Sequence, residues 1–591
     1  MRTKRRTFLK QLPVAVGAGL AVPAAVTNAD AAPQAAASQT AGGITAEALG
    51  VAQQIAGVSL PIEEREAARA LVTRNLANIE AIRRVTIASE TEPAFSFRPT
   101  LTKPDGSGPV SRADTPAADA TKQKGRGQNK QTSHPAKVAV PSRPTQIDDL
   151  AFEPVWLLAE RLRTKQISSS ELTAMYLDRL KRHDATLLCV VTLTEALARE
   201  QAAEADREIK AGRYRGPLHG IPYGIKDLFS VKGFPTTWGA KPYATQEFDY
   251  DATAVTRLRD AGAVLVGKLA TGELAVGDLW FRGRTRNPWK PDTGSSGSSA
   301  GPASASAAGL VGFAVGTETN GSIMSPASTC GVVGLRPSYG RVSRYGCMTL
   351  RWTLDKVGAI ARSVRDTAAV LDAMHGPDGH DETVTAAPWA WDGRQDVRGL
   401  RIGYVERDFA GTAPATRVLA AALDVYRAAG AELVRVSLPD SPAAAIYALL
   451  NAEAGAMFDE LVRSGKINEL ADTSVNGRAN QLRASRFIPA VDYVRAQRAR
   501  TILLQQMNEL FGMIDTLLAP ASSDAVTIGN LTGHPAITVP AGFSDGLPVG
   551  LMVVGPLYQE QRILRVASAY EDATDWHTKT PSGFAPAGAL L

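Results

Sequence analysis

Between Thr45 and Ser89 the apolar residues recur at helical spacing: Ala46, Leu49, Ala52 and Ile55, then Ala68, Leu71, Leu76, Ile79 and Ile82 within Glu64 to Arg84. Residues so spaced line one side of an α-helix, and the region predicts two amphipathic helices. Further along, Ser169, Ser170 and Glu171 form a start signal for a helix over Leu172–Arg182. Ala252–Gly262 reads as a helix stopped by glycine, leading into Ala263-Val264-Leu265-Val266, a short apolar run suited to a buried strand. Leu400–Val405, a helix over Ala415–Ala429 ended by Gly430, and Leu433–Leu438 repeat the alternation. Strand, helix and strand in succession predict an α/β architecture around a largely parallel or mixed sheet. No fixed period repeats along the chain.

The 591 residues, 62.5 kDa, exceed an ordinary single domain, and 44% hydrophobic with 21% charged residues is globular composition with a sizeable core. One large domain with appendages is expected. Pro99, Pro104, Pro109, Pro116, Pro135, Pro141 and Pro144 stand among Gly, Ser, Lys and Gln, which is the composition of a flexible linker. The expected organisation is a leader over 1–31, an N-terminal helical segment over 32–97, a linker over 98–146 and the α/β domain over 147–580. The helical pair is thus tethered to the α/β domain rather than continuous with it.

The formal charge of +6 is unevenly placed. Arg2, Lys4, Arg5, Arg6 and Lys10 against Asp30 put +4 of it into residues 1–31, and Lys122, Lys124, Arg126, Lys130 and Lys137 lie in the linker. The remainder is slightly acidic, so no nucleic-acid footprint is supported. Thr3-Lys4-Arg5-Arg6-Thr7-Phe8-Leu9-Lys10 precedes an uncharged run from Leu12 to Val26, too short to span a bilayer, and Ala29-Asp30-Ala31 offers a cleavage site. This resembles a twin-arginine export signal and predicts a periplasmic or extracellular protein without a stable membrane span. Cys189, Cys330 and Cys347 are odd in number and lack a Cys-x-x-Cys pair, so they are expected as small buried thiols, with one disulfide left open.

The densest run of small and hydroxyl residues is TGSSGSSAGPASASAAGLVGFAVGTETNGSIMS, Thr293 to Ser325. Its apolar centre, Leu310 to Val315, requires burial, which a linker does not. Glycine and serine around buried elements suggest a place where backbone N–H groups closely approach a ligand. Gly297-Ser298-Ser299-Ala300-Gly301 satisfies G-x-S-x-G, but Asn287 to Thr293 carries two prolines and no strand pattern, against a nucleophile elbow at Ser299. His219 and His534 sit in turn-like Leu-His-Gly and Gly-His-Pro contexts and read as structural hydrogen-bonding residues. No metal-binding His-Glu-x-x-His, phosphate loop or dinucleotide fingerprint is present, so no metal or cofactor is implied.

From Gly216 the blocks GPLHGIPYGIKDLFSVKG, TRNPW, GSSAG, GTETNGSIMSPASTCGVVGLRPSYGRVSRYG, NLTGHPAITVPAGF and GLPVGLMVVG appear in order. Together, over roughly residues 147 to 575, the chain resembles the amidase signature family. The resemblance implies an α/β/α fold with a large twisted mixed sheet, and a Ser-cisSer-Lys triad that hydrolyses carboxylic amides through an acyl-enzyme. Carried over by position, the lysine is Lys226, the bridging serine Ser298 and the nucleophile Ser322. The register of Gly297 and Gly321 selects Ser298 over Ser295, Ser296 and Ser299. Thr319, Asn320, Gly321 and Ser322 would supply the backbone N–H groups of the oxyanion hole. A lysine can act as base only if desolvation lowers its pKa toward neutrality, and the apolar run Ile221 to Ile225 before Lys226 suits that. The default partner of Lys226 is its neighbour Asp227.

The chain departs from the family pattern at four points. Asn320 replaces a glycine, with the turn preserved if asparagine takes left-handed backbone; Glu318 stands for aspartate; Met324 replaces an arginine, removing a charge; and Ala300 replaces a glycine. None deletes a triad member. The expected protein is an exported amidase acting on a small-molecule or peptide-like amide. The alternatives are the glutaminase-type A subunit of a tRNA-dependent amidotransferase, which an export signal disfavours, and a catalytically silent binding protein. The acyl pocket is expected to draw on Pro439 to Arg500, and oligomeric state stays open.

Overall fold

A computed structural model describes residues 44–89, 91–95 and 140–585. The expected export signal over 1–31, residues 32–43 and most of the expected linker lie outside the described residues.

The strands of the main sheet are β1 (Val190–Leu193), β2 (Pro222–Lys226), β3 (Val264–Leu269), β4 (Phe313–Glu318), β5 (Val333–Arg336), β6 (Lys356–Ala361), β7 (Arg401–Tyr404), β8 (Glu432–Arg435), β9 (Thr516–Pro520), β10 (Ala536–Ser544) and β11 (Leu547–Val554). They form one sheet of 11 strands in the order β1-β3-β2-β4-β6-β5-β10-β11-β9-β7-β8. Pairing is mixed: β2 runs parallel to β3 and β4, whereas β6 runs antiparallel to β4 and β5. β2, β3, β4 and β6 are buried along their whole length, as a sheet covered on both faces requires. Alternate residues enter different cores: Ala359, Leu518 and Val553 join one apolar cluster, and Ile360, Leu517, Met552 and Val554 the other. Helices fill both faces, giving the α/β/α arrangement that the sequence implied.

The alternation read over Leu400–Leu438 is present as β7, the helix Pro414–Ala428 and β8, with β7 and β8 parallel. The helix expected over Leu172–Arg182 extends over Ser169–Leu187, and its cap is Ser168, which forms a reciprocal capping box with Glu171.

The N-terminal pair is α1 (Ala46–Ala56) and α2 (Ile62–Arg83). It does not hang free. Ile79 and Ile82 enter the same core as Ile446, Leu449 and Leu503, from the helices Ala443–Leu449 and Ala490–Met513. Arg483 pairs with Glu64 at 2.9 Å, and the largely buried Asp492 pairs with Arg83 at 3.2 Å. Leu60, in the connector between α1 and α2, joins a cluster with Leu228, Ala275, Met348 and Phe458. Among the described residues no helix is long and apolar enough to cross a membrane.

Candidate active site

Lys226 ends β2 with strands on both sides, and the side chain is fully buried. Its Nζ donates to Ser298 Oγ at 2.8 Å, Thr317 Oγ1 at 2.9 Å and Ser299 Oγ at 3.2 Å. All three partners are neutral hydroxyls. Desolvation therefore outweighs the distant negative groups and brings the lysine from its ordinary 10.5 down to about 7. Asp227 is not its partner. That carboxylate forms an ion pair at 2.8 Å with Lys268 of β3, also fully buried, and accepts from Thr237 N–H at 2.9 Å.

Ser298 is 1% exposed, and the Gly297–Ser298 peptide bond is cis. A Cβ on Gly297 would stand 1.9 Å from Gly277 O, so this glycine serves backbone-to-backbone packing. A short strand over Lys290–Gly294 and a helix over Ala300–Ala307 do flank Ser299, closer to an elbow than the prolines suggested. Yet Ser299 Oγ donates to Thr317 O at 3.1 Å and accepts from Thr317 N–H at 3.2 Å, which anchors it to β4.

Ser322 lies in the loop between β4 and the helix Met324–Cys330. Ser299 N–H donates to Ser322 O at 3.1 Å, stitching this loop to the Ser298 segment. The left-handed turn falls on Gly321, with φ +83°, and Asn320 needs no such conformation. Thr319 Oγ1 donates to Asp355 Oδ1 at 2.6 Å, and Asn320 Nδ2 donates to Thr527 Oγ1 at 3.3 Å. The backbone N–H groups of Thr319, Asn320, Gly321 and Ser322 meet no acceptor among the described residues.

Below this loop lies a buried polar cluster. Glu318 accepts from the N–H groups of Ile323 and Met324 at 2.7 and 2.9 Å, from Arg336 Nη1 at 2.5 Å and from Asn530 Nδ2 at 2.8 Å. Burial alone would raise its pKa, but Arg336 and the N–H donors prevail and hold it down at about 2. Met324 is fully buried in the apolar core beside Ile323 and Ala327.

The histidines are held as hydrogen-bonding residues. His219 Nδ1 accepts from Arg215 N–H at 3.0 Å, and His534 Nδ1 lies 2.7 Å from Thr532 Oγ1, its pKa driven by burial to about 3. Cys189, Cys330 and Cys347 are all free, with Cys347 only half-buried. Sequence reasoning brought Lys226, Ser298 and Ser322 into view and missed Thr317, Lys268, Arg336, Asp355 and Asn530. A signal existed for one of them: Lys268 is the only charged residue in Val264–Leu269. The others are settled by contacts far apart in sequence.

The family model described as "Amidase" matches residues 171–532 and 523–564. The A subunit of glutamyl-tRNA(Gln) amidotransferase from Roseiflexus castenholzii is 38% identical over 473 residues, covering 71% of this chain and 96% of that protein. The protein of the same name from Methylococcus capsulatus is 37% identical over 479 residues, covering 72% and 98%. Among solved structures, the peptide amidase from Stenotrophomonas maltophilia superposes with TM-score 0.64 at 32% identity, covering 72% of this chain and 97% of its own. A bacterial aryl acylamidase of the amidase signature family superposes with TM-score 0.65 at 26% identity, covering 74% and 99%.

These relatives correct one expectation. A protein that serves glutamyl-tRNA works where charged tRNA is kept, in the cytoplasm, so the relatives overturn export to the periplasm or the exterior. The arginine pair and the short apolar run are a brief pattern, and the relatives outweigh it.

Proposed function

The chain belongs to the amidase signature family, an enzyme family acting on carbon–nitrogen bonds of amides, and from that premise we propose that Ser322 attacks a carboxamide, with Lys226 as base and Ser298 as proton relay. The observation that carries this reading is the 2.8 Å contact between Lys226 Nζ and Ser298 Oγ, in a site where neutral hydroxyls surround the lysine. With a pKa near 7 a large fraction of Lys226 is neutral at physiological pH and can accept a proton. Lys226 takes the Ser298 proton, Ser298 takes that of Ser322, and Ser322 Oγ bonds to the carbonyl carbon. The unpaired N–H groups of Thr319 to Ser322 receive the developing oxyanion, at about 3 kcal/mol for each well-placed donor. Ser298 then protonates the leaving nitrogen, and water cleaves the ester by the reverse relay.

For the substrate, the relatives favour the glutaminase-type A subunit of a tRNA-dependent amidotransferase: the carboxamide is that of glutamine and the product ammonia. The peptide amidase structures support a second reading, a free-standing enzyme that cleaves peptide-like amides by the same chemistry. In either case residues 147–580 form the catalytic domain, and the segment around Phe458, Leu461 and Leu482 packs with Leu228, two residues past Lys226.

Intact-protein mass spectrometry of wild type and Ser322→Ala, after exposure to a fluorophosphonate, tests the nucleophile. An adduct on wild type alone is expected; equal adducts on both would place the nucleophile elsewhere. Ammonia release from glutamine, compared with release from peptide amides, separates the two substrates.

A further inference from the structure

Glu318 is a carboxylate with no access to solvent, and each of its oxygens is occupied. One receives the two backbone N–H groups that immediately succeed Ser322, those of Ile323 and Met324. The other receives Arg336 and Asn530. Arg336 comes from β5 and also donates to His534 O at 2.9 Å. Asn530 belongs to the helix Asp524–Leu531 and also donates to Val526 O at 2.9 Å. A single side chain thus joins the end of β4 to the first turn after the nucleophile and ties both to two distant segments. Residues 319–330 contain no lysine or arginine, so the cation that pairs with this carboxylate has to arrive from elsewhere, and Arg336 is that cation.

We propose that Glu318 is the positioning residue of the nucleophile loop: clamped by Arg336 and Asn530, it fixes the backbone after Ser322 and so sets where Ser322 Oγ and the loop N–H groups stand. It does not touch substrate. The inference rests on Ser322 being the nucleophile. A five-residue span closed at both ends by one carboxylate leaves the loop little freedom, and a shift of about 1 Å in a reacting group costs on the order of 100-fold in rate. The proposal also accounts for the apolar Met324 two residues past the nucleophile. With Arg336 on Glu318, a charge at 324 is not needed to hold the carboxylate.

The test is the second-order rate of fluorophosphonate labelling at Ser322, together with kcat, KM and the pH profile on whichever amide the wild type cleaves, for wild type, Glu318→Gln and Arg336→Lys. Glu318→Gln keeps the shape and loses the charge. Expected is a fall of about 10- to 100-fold in labelling rate and kcat, with KM and the midpoint of the acid limb unchanged. Arg336→Lys, which keeps the charge but not the two-way grip on Glu318 and His534 O, is expected to lose about 3- to 10-fold. Wild-type labelling rates in a folded Glu318→Gln protein would overturn the proposal; if that variant does not fold, wild-type rates in folded Arg336→Lys would do so. A wild type that is not labelled at Ser322 would instead refute the nucleophile assignment, so the two failures are distinguishable.

Discussion

Lys268 lies 2.8 Å from Asp227, so the carboxylate next in sequence to Lys226 is neutralised by a different lysine on the neighbouring strand. This is what leaves Lys226 among hydroxyls alone. Removing Lys268 would leave Asp227 as an uncompensated negative charge beside the base and raise the pKa of Lys226. In Lys268→Met the acid limb of kcat/KM should move upward from about 7 by about one unit. The double variant Lys268→Met/Asp227→Asn should move it back. An unchanged limb in the single variant would show that Asp227 does not reach Lys226 electrostatically.

Lys226 itself costs stability. Its folded pKa lies below its unfolded one, so between about 7 and 10.5 the unfolded chain binds the extra proton and stability rises with pH across that window. Lys226→Met removes the burial cost, and chemical denaturation at pH 7 should show a gain of about 1–4 kcal/mol. The same variant should lose at least about 1000-fold in kcat/KM. Loss of activity with loss of stability would assign the lysine a structural role instead.

The proposed mechanism puts Ser298 and Ser322 on one proton path, so their effects should not add. Each alanine variant alone is expected to lower kcat by about 100-fold or more, and the double variant by little beyond Ser322→Ala. Steady-state kinetics on the three proteins checks this. Additive losses would mean that Ser298 acts outside the path of Ser322.

The N-terminal pair should be coupled to the catalytic domain through its apolar face rather than its ion pairs. Ile82 is fully buried, and Ile82→Ala should cost about 2–4 kcal/mol in a denaturant titration. Arg83 is half exposed, and Arg83→Ala/Asp492→Asn, which leaves no unpaired charge on the largely buried Asp492, should cost less than about 1 kcal/mol. The opposite order would show that the pair is held at its surface.

The chain made legible what is local or repeated. The run Ala263–Val266 is apolar and short of helical length, and β3 takes it up from Val264; the run Leu400–Leu438 alternates in the way two parallel strands and a crossover helix must. Lys226, Ser298 and Ser322 were legible because their blocks are ordered and distinctive. The rest depended on partners that no local pattern announces. Asn320 could have taken the left-handed turn, but the backbone places it on Gly321. The helices of residues 45–89 looked tethered because the proline-rich stretch after them is conspicuous, whereas Ile79 and Ile82 meet Ile446 and Leu503 only in space.

The strand order also sets a timetable for synthesis. Lys226, Ser298 and Ser322 have all been made by residue 322, yet Asn530 closes on Glu318 from more than two hundred residues later, and β5 finds its neighbour β10 only when residues 536–544 emerge. At 5–20 residues per second Ser322 waits roughly 10–40 s for the residues that brace its loop. A nascent chain therefore holds Lys226, Ser298 and Ser322 before the segments that brace their surroundings have been made.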